Sequence, residues 1–275
     1  MRLPRILLAM LVGAGLSASG CAFQSLFANP LATPDTLGVA SGASFGAALG
    51  LLFGFSLIGV QLTAVIFGIA AVLLTALTGG GRKKQGLSGV VLAGIMMGSL
   101  FNALVSLVKF TADTETQLPA ITYFLMGNLG AANWRELLFG APPILAGIAL
   151  LLLLRWRLNL LPLSEEEAKA AGVNVGLLRA AVILAATLIT ASSVSMCGQV
   201  GWVGLIIPHI CRMKFGSNHL RLLPASVFLG AAFLVVVDTV ARTATASELP
   251  ISVLTAVVGA PFFIFLMQRS EGWQL

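Results

Sequence analysis

One acidic side chain stands inside a long apolar run, with a cation one helical turn away. Asp238 lies in the apolar segment 222–243, and Arg242 follows it four residues later. Charged groups inside a membrane usually mark an ion or proton path. Because residues four apart share one face of a helix, an ion pair between Asp238 and Arg242 is the simpler interpretation. No row of acids crosses the apolar segments, which argues against a proton-driven carrier.

Other residues whose side chains could take part in catalysis or binding do not form a complete site. The run 79–84 is glycine-rich and basic, but it lacks the spacing and the final hydroxyl of a phosphate-binding loop. His209 and His219 flank the end of a short apolar segment, and we expect helix-end or loop roles for them. The cysteines lie in or beside apolar stretches without a CxxC motif, so we expect buried, inert thiols. The sequence therefore predicts no catalytic residue, no metal site and no cofactor.

The loop 155–179 carries a different kind of signal, because it predicts ordered structure outside the apolar segments. Ser164 is a good N-cap residue, and three glutamates follow it in the first turn of a helix that Gly172 ends. A second short helix that runs into the sixth apolar segment is expected to follow. Such a pair would form a docking surface, and a solvated connector is the alternative. The residues expected to form the surface are Ser164, Glu165, Glu166, Glu167, Ala168, Gly172, Val173, Asn174 and Val175.

Composition defines the class of protein that must position these residues. The chain has 275 residues, of which 58% are hydrophobic and 9% charged. Ordinary soluble domains contain about 25% charged residues, so this chain could not cover its surface in water. A water-soluble enzyme, a nucleic-acid-binding domain and a disordered chain are excluded. The sequence predicts an all-α polytopic membrane protein that forms one domain over 1–275.

Nine apolar segments are long enough, or nearly long enough, to form transmembrane helices. A bilayer core needs about 20 apolar residues per helix, and the seventh segment is short. The expected segments are 6–27, 38–56, 58–79, 87–110, 137–154, 179–197, 200–213, 222–243 and 250–268.

Loop charge predicts the orientation of these helices. Eleven Lys and Arg lie on one set of loops and five on the other, and the richer set should be cytoplasmic. The C-terminus is then cytoplasmic and the N-terminus outside. The five residues on the outer side are Arg2, Arg5, Lys109, Arg135 and Arg242.

A glycine repeat predicts close packing inside the membrane. Gly42, Gly46, Gly50 and Gly54 recur every four residues and would line one helical face. Small residues let transmembrane helices approach closely. We expect a tight helix–helix contact; a role in opening and closing a pathway is the alternative.

Seven blocks of sequence, in order along the chain, carry a resemblance. They are RLPR (2–5), GCAFQSLFANPLATPDTLGVASGASFGA (20–47), FLMGNLGAANW (124–134), LNLLPLSEEEAKAAGVNVGLLR (158–179), GQVGWVGLIIPHICRM (198–213), HLRLLPAS (219–226) and ELPISVLTAVVGAPFFIFLM (248–267). Together they cover essentially the whole chain, and they resemble the FecCD-type permeases of ABC importers for iron–siderophore, haem and cobalamin.

The resemblance implies a type II ABC importer permease fold. Members of the family usually carry one more helix before the RLPR block, which gives ten, and we expect that this sequence lacks that first helix. The family works as two copies of the permease with two cytoplasmic ATP-binding subunits and an outer substrate-binding protein. By resemblance, the loop around 164–175 is the region that couples to the ATPase. Also by resemblance, Arg2, Arg5 and Arg242 hold acidic residues of the binding protein.

The predicted function is that of a permease subunit in the cell (inner or plasma) membrane of a prokaryote. It would import an iron chelate, a siderophore or haem, with ATP hydrolysis supplied by a partner subunit. Cobalamin and molybdate are the alternatives within the family. A stand-alone ion-coupled carrier is the alternative from another class of transporter. It would require an acidic residue near the middle of the membrane and interrupted helices at corresponding positions of its two halves. A structural membrane scaffold would not explain the ordered loop 155–179.

Overall fold

The protein is described here by a computed structural model that covers residues 3–79, 86–245 and 248–269. Within these ranges the chain forms eleven α-helices and one 3-10 turn, Pro34–Leu37. The α-helices are α1 (Leu3–Leu26), α2 (Val39–Leu52), α3 (Leu57–Gly79), α4 (Gly86–Thr111), α5 (Gln117–Leu125), α6 (Trp134–Leu158), α7 (Glu165–Ala170), α8 (Val175–Cys197), α9 (Val203–Phe215), α10 (His219–Thr243) and α11 (Ile251–Arg269).

The apolar segments expected from the sequence correspond to α1–α4, α6 and α8–α11. In the described part of the chain, six helices are long and apolar enough to cross a membrane by themselves: α1, α3, α4, α6, α8 and α10. Helices α2 and α9 have only 14 and 13 residues. At 1.5 Å per residue they extend about 20 Å, which is less than the roughly 30 Å of a bilayer core. Neither helix is therefore long enough to cross such a core by itself.

Helices α1 and α8 form the centre of the bundle. In the most apolar 18-residue stretch of each helix, 78% of α1 and 72% of α8 is buried inside the bundle. The buried share of the same stretch in α3, α4, α6 and α10 is 22–33%. The outer helices therefore keep broad apolar faces for lipid. Close approach at the centre depends on glycine pairs. A methyl group added at Gly13 would collide with the Gly230 carbonyl of α10, and one at Gly20 with the Gly204 carbonyl of α9.

The glycine repeat of α2 packs against α3. A β-carbon at Gly42 would lie 2.6 Å from the Phe67 carbonyl, and one at Gly46 would collide with the Thr63 carbonyl. Gly50 faces the same helix. Gly54 does not belong to this face, because α2 ends at Leu52 and Gly54 adopts φ +65° in the following turn, with open space around it. The four-residue spacing runs past the end of the helix, so the last glycine makes a turn instead of a contact.

The segment 27–38 joins α1 to α2 and accounts for the shortness of α2. It contains Ala28 at φ +47° and ends in the 3-10 turn, whose C-cap Gly38 has φ +74°. A β-carbon at Gly38 would lie 3.2–3.6 Å from main-chain atoms of Gly94 and Gly98 in α4, so the turn packs closely against that helix. Non-helical backbone at membrane depth is tolerated where it is buried in protein or lines a cavity. The α4 contact supplies such cover on one side.

The two ends of the bundle are chemically different. One end, called the α7 end, holds α7, the C-terminal ends of α6 and α9 and the start of α10. The opposite end, called the Arg5 end, holds the first turn of α1, the end of α10 and the start of α11, because Arg5 contacts residues of both α10 and the chain before α11. Each end carries one of the surfaces that the sequence singled out.

Candidate transport path and docking sites

Arg5 binds two acidic side chains that are distant in sequence. Its Nε and Nη2 donate to the Asp238 carboxylate at 2.8–3.1 Å, and its Nη1 and Nη2 donate to Glu248 at 2.7 and 3.0 Å. The side chains of Arg5 and Asp238 are only 15% and 5% exposed. The trio, called the Arg5 cluster, fastens the first turn of α1 to the end of α10 and to the residues that lead into α11.

The expected ion pair between Asp238 and Arg242 is wrong. Asp238 accepts hydrogen bonds from Arg5 of α1 instead. Its carboxylate therefore joins two helices, and this contact replaces both the ion path and the pair within α10 that the sequence suggested. The Arg5 guanidinium offers parallel donors in a planar fork, which match the geometry of a carboxylate. Sequence reasoning missed Glu248 as a partner, although it opens the last of the seven blocks.

Ionisation of Glu248 fits this arrangement. The hydrogen bond from Arg5 lowers the pKa of Glu248 below its ordinary value, and the charges of Arg5 and Arg242 lower it further. Glu248 is therefore ionised at neutral pH. Arg242 itself is partly exposed and forms no ion pair within the described ranges. Arg2 lies outside the described residues.

A cavity of about 450 Å³ lies among α1, α8, α9 and α11 beside the 3-10 turn. Asp35 lines it, together with the hydroxyl residues Thr190 and Ser193 of α8. Both hydroxyl oxygens are buried and have no hydrogen-bond partner in the described part of the chain. Trp202, which also lines the cavity, has φ +70°, and strain of this kind at a bulky residue is concentrated at functional sites. This cavity is the candidate for a section of the transport path.

Asp35 is the acid that sequence reasoning missed, because only Asp238 was weighed as an intramembrane carboxylate. A usable signal was present: Pro30, Pro34 and Asp35 interrupt two apolar runs with residues that a spanning helix avoids. Such an interruption inside a membrane protein points to backbone that lines a cavity.

The loop 155–179 contains a complete capping box. Glu167 N donates to Ser164 Oγ at 3.3 Å, and Ser164 N donates to Glu167 Oε2 at 3.0 Å. The Ser164 hydroxyl donates to the same carboxylate, and these bonds lower the pKa of Glu167. Helix α7 ends where Gly172 adopts φ +74°, and Val173 N donates to the Ala168 carbonyl at 3.1 Å. The side chain of Glu165 lies outside the described atoms.

The helix expected after Gly172 does run into the sixth apolar segment, but it is the start of α8 and not a separate short helix. Asn174 accepts from Leu177 N at 3.1 Å and starts α8 at Val175, and α8 continues without a break to Cys197. Nothing between Val175 and the apolar run can stop the helix. The turn from α7 into α8, residues 163–177, is called the α7 corner. It exposes Leu163 and Leu177, at 44% and 70%, beside its polar residues.

Cys21, Cys197 and Cys211 are free and buried. Among the described residues, no group of three or more His, Cys, Asp or Glu could hold a metal ion.

Comparison with known proteins places this geometry in a family. The model of the FecCD transport family matches residues 1–269. The molybdate import system permease protein MolB of Haemophilus influenzae is 46% identical over 268 residues, which cover 98% of this chain and 80% of MolB. A probable iron chelatin transport system permease of Helicobacter pylori is 38% identical, over 98% of this chain and 82% of its own length. The haemin transport system permease HmuU of Yersinia pestis is 37% identical, over 98% of this chain and 82% of HmuU.

Solved structures agree. The inward-facing structure of a protein assigned to the metal-chelate type of ABC transporters matches with a TM-score of 0.93 and 46% identity, over 98% of this chain and 86% of that one. PsaBC of Streptococcus pneumoniae shares the fold at a TM-score of 0.66 and 19% identity, over 96% of this chain and 89% of that one. The chain therefore belongs to the FecCD transport family, and it is a multi-pass membrane permease of the ABC importer class.

Proposed function

We propose that this chain forms, as two copies, the membrane path of an importer that two ATP-binding subunits drive and an outer binding protein supplies. The proposal rests on the capped α7 corner, which presents ordered polar and apolar residues at one end of the bundle. The α7 end carries more Lys and Arg than the Arg5 end, so it is assigned to the cytoplasm, together with the C-terminus. The whole chain 1–275 acts as one permease domain in a prokaryotic cell membrane.

Molybdate is the first substrate to test. The support is the 46% identity to a molybdate permease over nearly the whole chain, against 37–38% for the iron-chelate and haemin permeases. An iron chelate, the substrate expected from the sequence, is the second candidate, because the Helicobacter pylori relative covers the same 98% of the chain. In this proposal the outer binding protein makes the selection among substrates.

The substrate is identified with the binding protein that belongs to this permease. Its thermal unfolding midpoint is measured with molybdate, ferric siderophores, haemin and cobalamin, with sulfate as the matched oxyanion control. We expect molybdate to raise the midpoint more than sulfate does. A rise with a ferric siderophore or haemin and none with molybdate would assign the iron chelate instead.

The α7 corner gives the first prediction about coupling. Ala170 is exposed at the end of α7, and arginine there keeps the helix but adds bulk to a surface that a partner must contact. We expect Ala170→Arg to leave the permease folded in the membrane and to lower ATP-dependent uptake about tenfold or more. Ala170→Ser is the control, because serine is close in size to the native alanine and should leave uptake unchanged. Co-purification of the ATPase is measured beside uptake. Normal uptake by the Ala170→Arg permease would remove the corner from the coupling surface.

The Arg5 end gives a prediction about docking. Arg5 is occupied by two carboxylates, so the proposed contact with acids of the binding protein falls to Arg242 and to Arg2. We expect Arg242→Glu to weaken docking, and 0.5 M salt to weaken wild-type docking in the same way, since exposed charge pairs are screened within about 8 Å at physiological ionic strength. Arg135→Glu, an exposed arginine beside the start of α6, is the control. Docking is measured by surface plasmon resonance. An affinity for the binding protein that changes neither with Arg242→Glu nor with 0.5 M salt would exclude this role.

A further inference from the structure

A second cavity, of about 730 Å³, opens at the α7 end and shares no lining residue with the cavity beside the 3-10 turn. The ends of α1, α6 and α9 and the start of α10 surround it. It is called the Arg212 pocket, and the lining residues used below are Gln24, Ala28, Trp156, Asn159, Arg212 and His219. Neither the α7 corner nor the transport path accounts for it.

The Arg212 guanidinium is a cation without a counter-ion in this pocket. Its Nη2 donates to Gln24 Oε1 at 2.7 Å, and this neutral amide is its one hydrogen-bond acceptor within the described ranges. The described residues that line the pocket include no Asp or Glu. Arg212 is half-buried, and a guanidinium carries five N–H donors. A partly buried charge that lacks a paired acid is costly unless an anion from outside completes it.

The walls of the pocket are fixed by hydrogen bonds that leave Arg212 as the group free to bind a ligand. Ser25 Oγ lies 2.6 Å from His219 Nε2, and His219 Nδ1 lies 3.1 Å from Asn159 Oδ1. Because a carbonyl oxygen only accepts, His219 donates from Nδ1 and accepts the Ser25 hydroxyl at Nε2. The neutral imidazole is thus fully bonded. The same Asn159 oxygen also accepts from His219 N at 2.9 Å.

Three further features suit an anion at the level of the lipid headgroups. The N-terminus of α10, a helix of 25 residues, opens on the pocket and adds a positive dipole end. Trp156 is 53% exposed at the rim, and tryptophan is enriched at membrane interfaces. Ala28 adopts φ +47°, and left-handed backbone at a residue other than glycine is concentrated at binding and switch sites.

We propose that the Arg212 pocket binds a tetrahedral oxyanion, held by the guanidinium fork of Arg212. The shared chemistry is a phosphate-type group, supplied either by an anionic lipid headgroup or by a free oxyanion. The site does not depend on which substrate the importer carries.

The test uses the purified full-length permease in a neutral detergent. One arm titrates inorganic phosphate against chloride at matched ionic strength; the other adds phosphatidylglycerol or, as control, phosphatidylcholine to the micelles. We expect the thermal unfolding midpoint to rise by about 5 °C at saturation in one arm or both. A rise with phosphate identifies a free oxyanion, and a rise with phosphatidylglycerol alone identifies the headgroup. No rise in either arm overturns the proposal.

Two variants separate this site from general charge effects. Arg212→Gln is expected to lower the affinity for the anion about tenfold or more, whereas Arg157→Gln, an exposed arginine outside the pocket, keeps it. Gln24→Glu has nearly the same shape as the native side chain and supplies an internal counter-ion. It should raise the midpoint without any anion and abolish the further rise. A Gln24→Glu permease that responds to anions as the wild type does would overturn the proposal, even if Arg212→Gln fails to fold.

Discussion

Replacing Gly46 with leucine is expected to separate α2 from α3 and to remove most of the folded permease. A single β-carbon at this position already collides with the Thr63 carbonyl, and Ala64 Cα lies 2.9 Å from the same point. Both obstacles are main-chain atoms, which cannot rotate away. Overpacking of a close contact costs about 1–3 kcal/mol, and a leucine against backbone should lie at or beyond the upper value. The readouts are yield from membranes and the thermal unfolding midpoint.

Gly98→Ala is the matched control for the Gly46 prediction. Gly98 lies within α4, and among the described residues outside its own helical turn a β-carbon there would have only Ser41 Oγ within 4 Å, at 3.7 Å. Alanine at that position should be neutral or slightly stabilising, because it has the higher helix propensity. If Gly46→Leu and Gly98→Ala gave the same yield and the same midpoint, the α2–α3 contact would not be the close one described here.

Replacing Arg5 with methionine is the second change with a large expected effect. It leaves the Asp238 carboxylate, whose side chain is 5% exposed, without the group that neutralises it. Removal of one partner from a buried ion pair typically costs about 3–5 kcal/mol. The loss should appear as a lower unfolding midpoint and as loosening of the start of α11, since Glu248 loses the same partner.

Removing the stranded charge should rescue the Arg5 variant. Arg5→Met with Asp238→Asn is expected to be more stable than Arg5→Met alone, because the buried site then holds no unpaired ion. Arg135→Met is the control for loss of one arginine at the same end. Equal midpoints for the single and double variants would contradict an ion pair between Arg5 and Asp238.

Acid should weaken the Arg5 cluster in a defined direction. Arg5 lowers the pKa of Glu248 from its ordinary value of 4.5. Its contribution to stability is therefore complete above that value and is lost as the pH falls through the lower pKa of the folded state. Glu248→Gln should remove this part of the pH dependence and keep the contact of Arg5 with Asp238.

Local signals in the sequence predicted local structure well. The apolar runs located α1–α4, α6 and α8–α11, because burial in lipid requires unbroken apolar length. Ser164 and Glu167 stand three residues apart, and that spacing alone specifies both bonds of the capping box. Gly172 was predicted to end α7, and its φ of +74° shows why a glycine stands there.

Contacts between distant segments were not predictable in the same way. Arg5 meets Asp238 across 233 positions and Glu248 across 243, and no periodicity in one helix contains that information. The sequence offered Arg242 as the near partner of Asp238, whereas the folded chain brings the Arg5 guanidinium to 2.8 Å from the Asp238 carboxylate. Asp35 was missed for a related reason: its place beside the cavity depends on how α1, α8 and α11 surround the 3-10 turn.

ATP-dependent uptake in proteoliposomes tests the central proposal most directly. The permease is reconstituted with its ATPase, and its binding protein loaded with radiolabelled molybdate or a ferric siderophore is added outside. We predict uptake that requires ATP inside the vesicles and the binding protein outside, and that a proton or sodium gradient does not replace. Uptake by the permease alone, driven by an ion gradient and indifferent to ATP, would contradict the assignment as an ATPase-driven path.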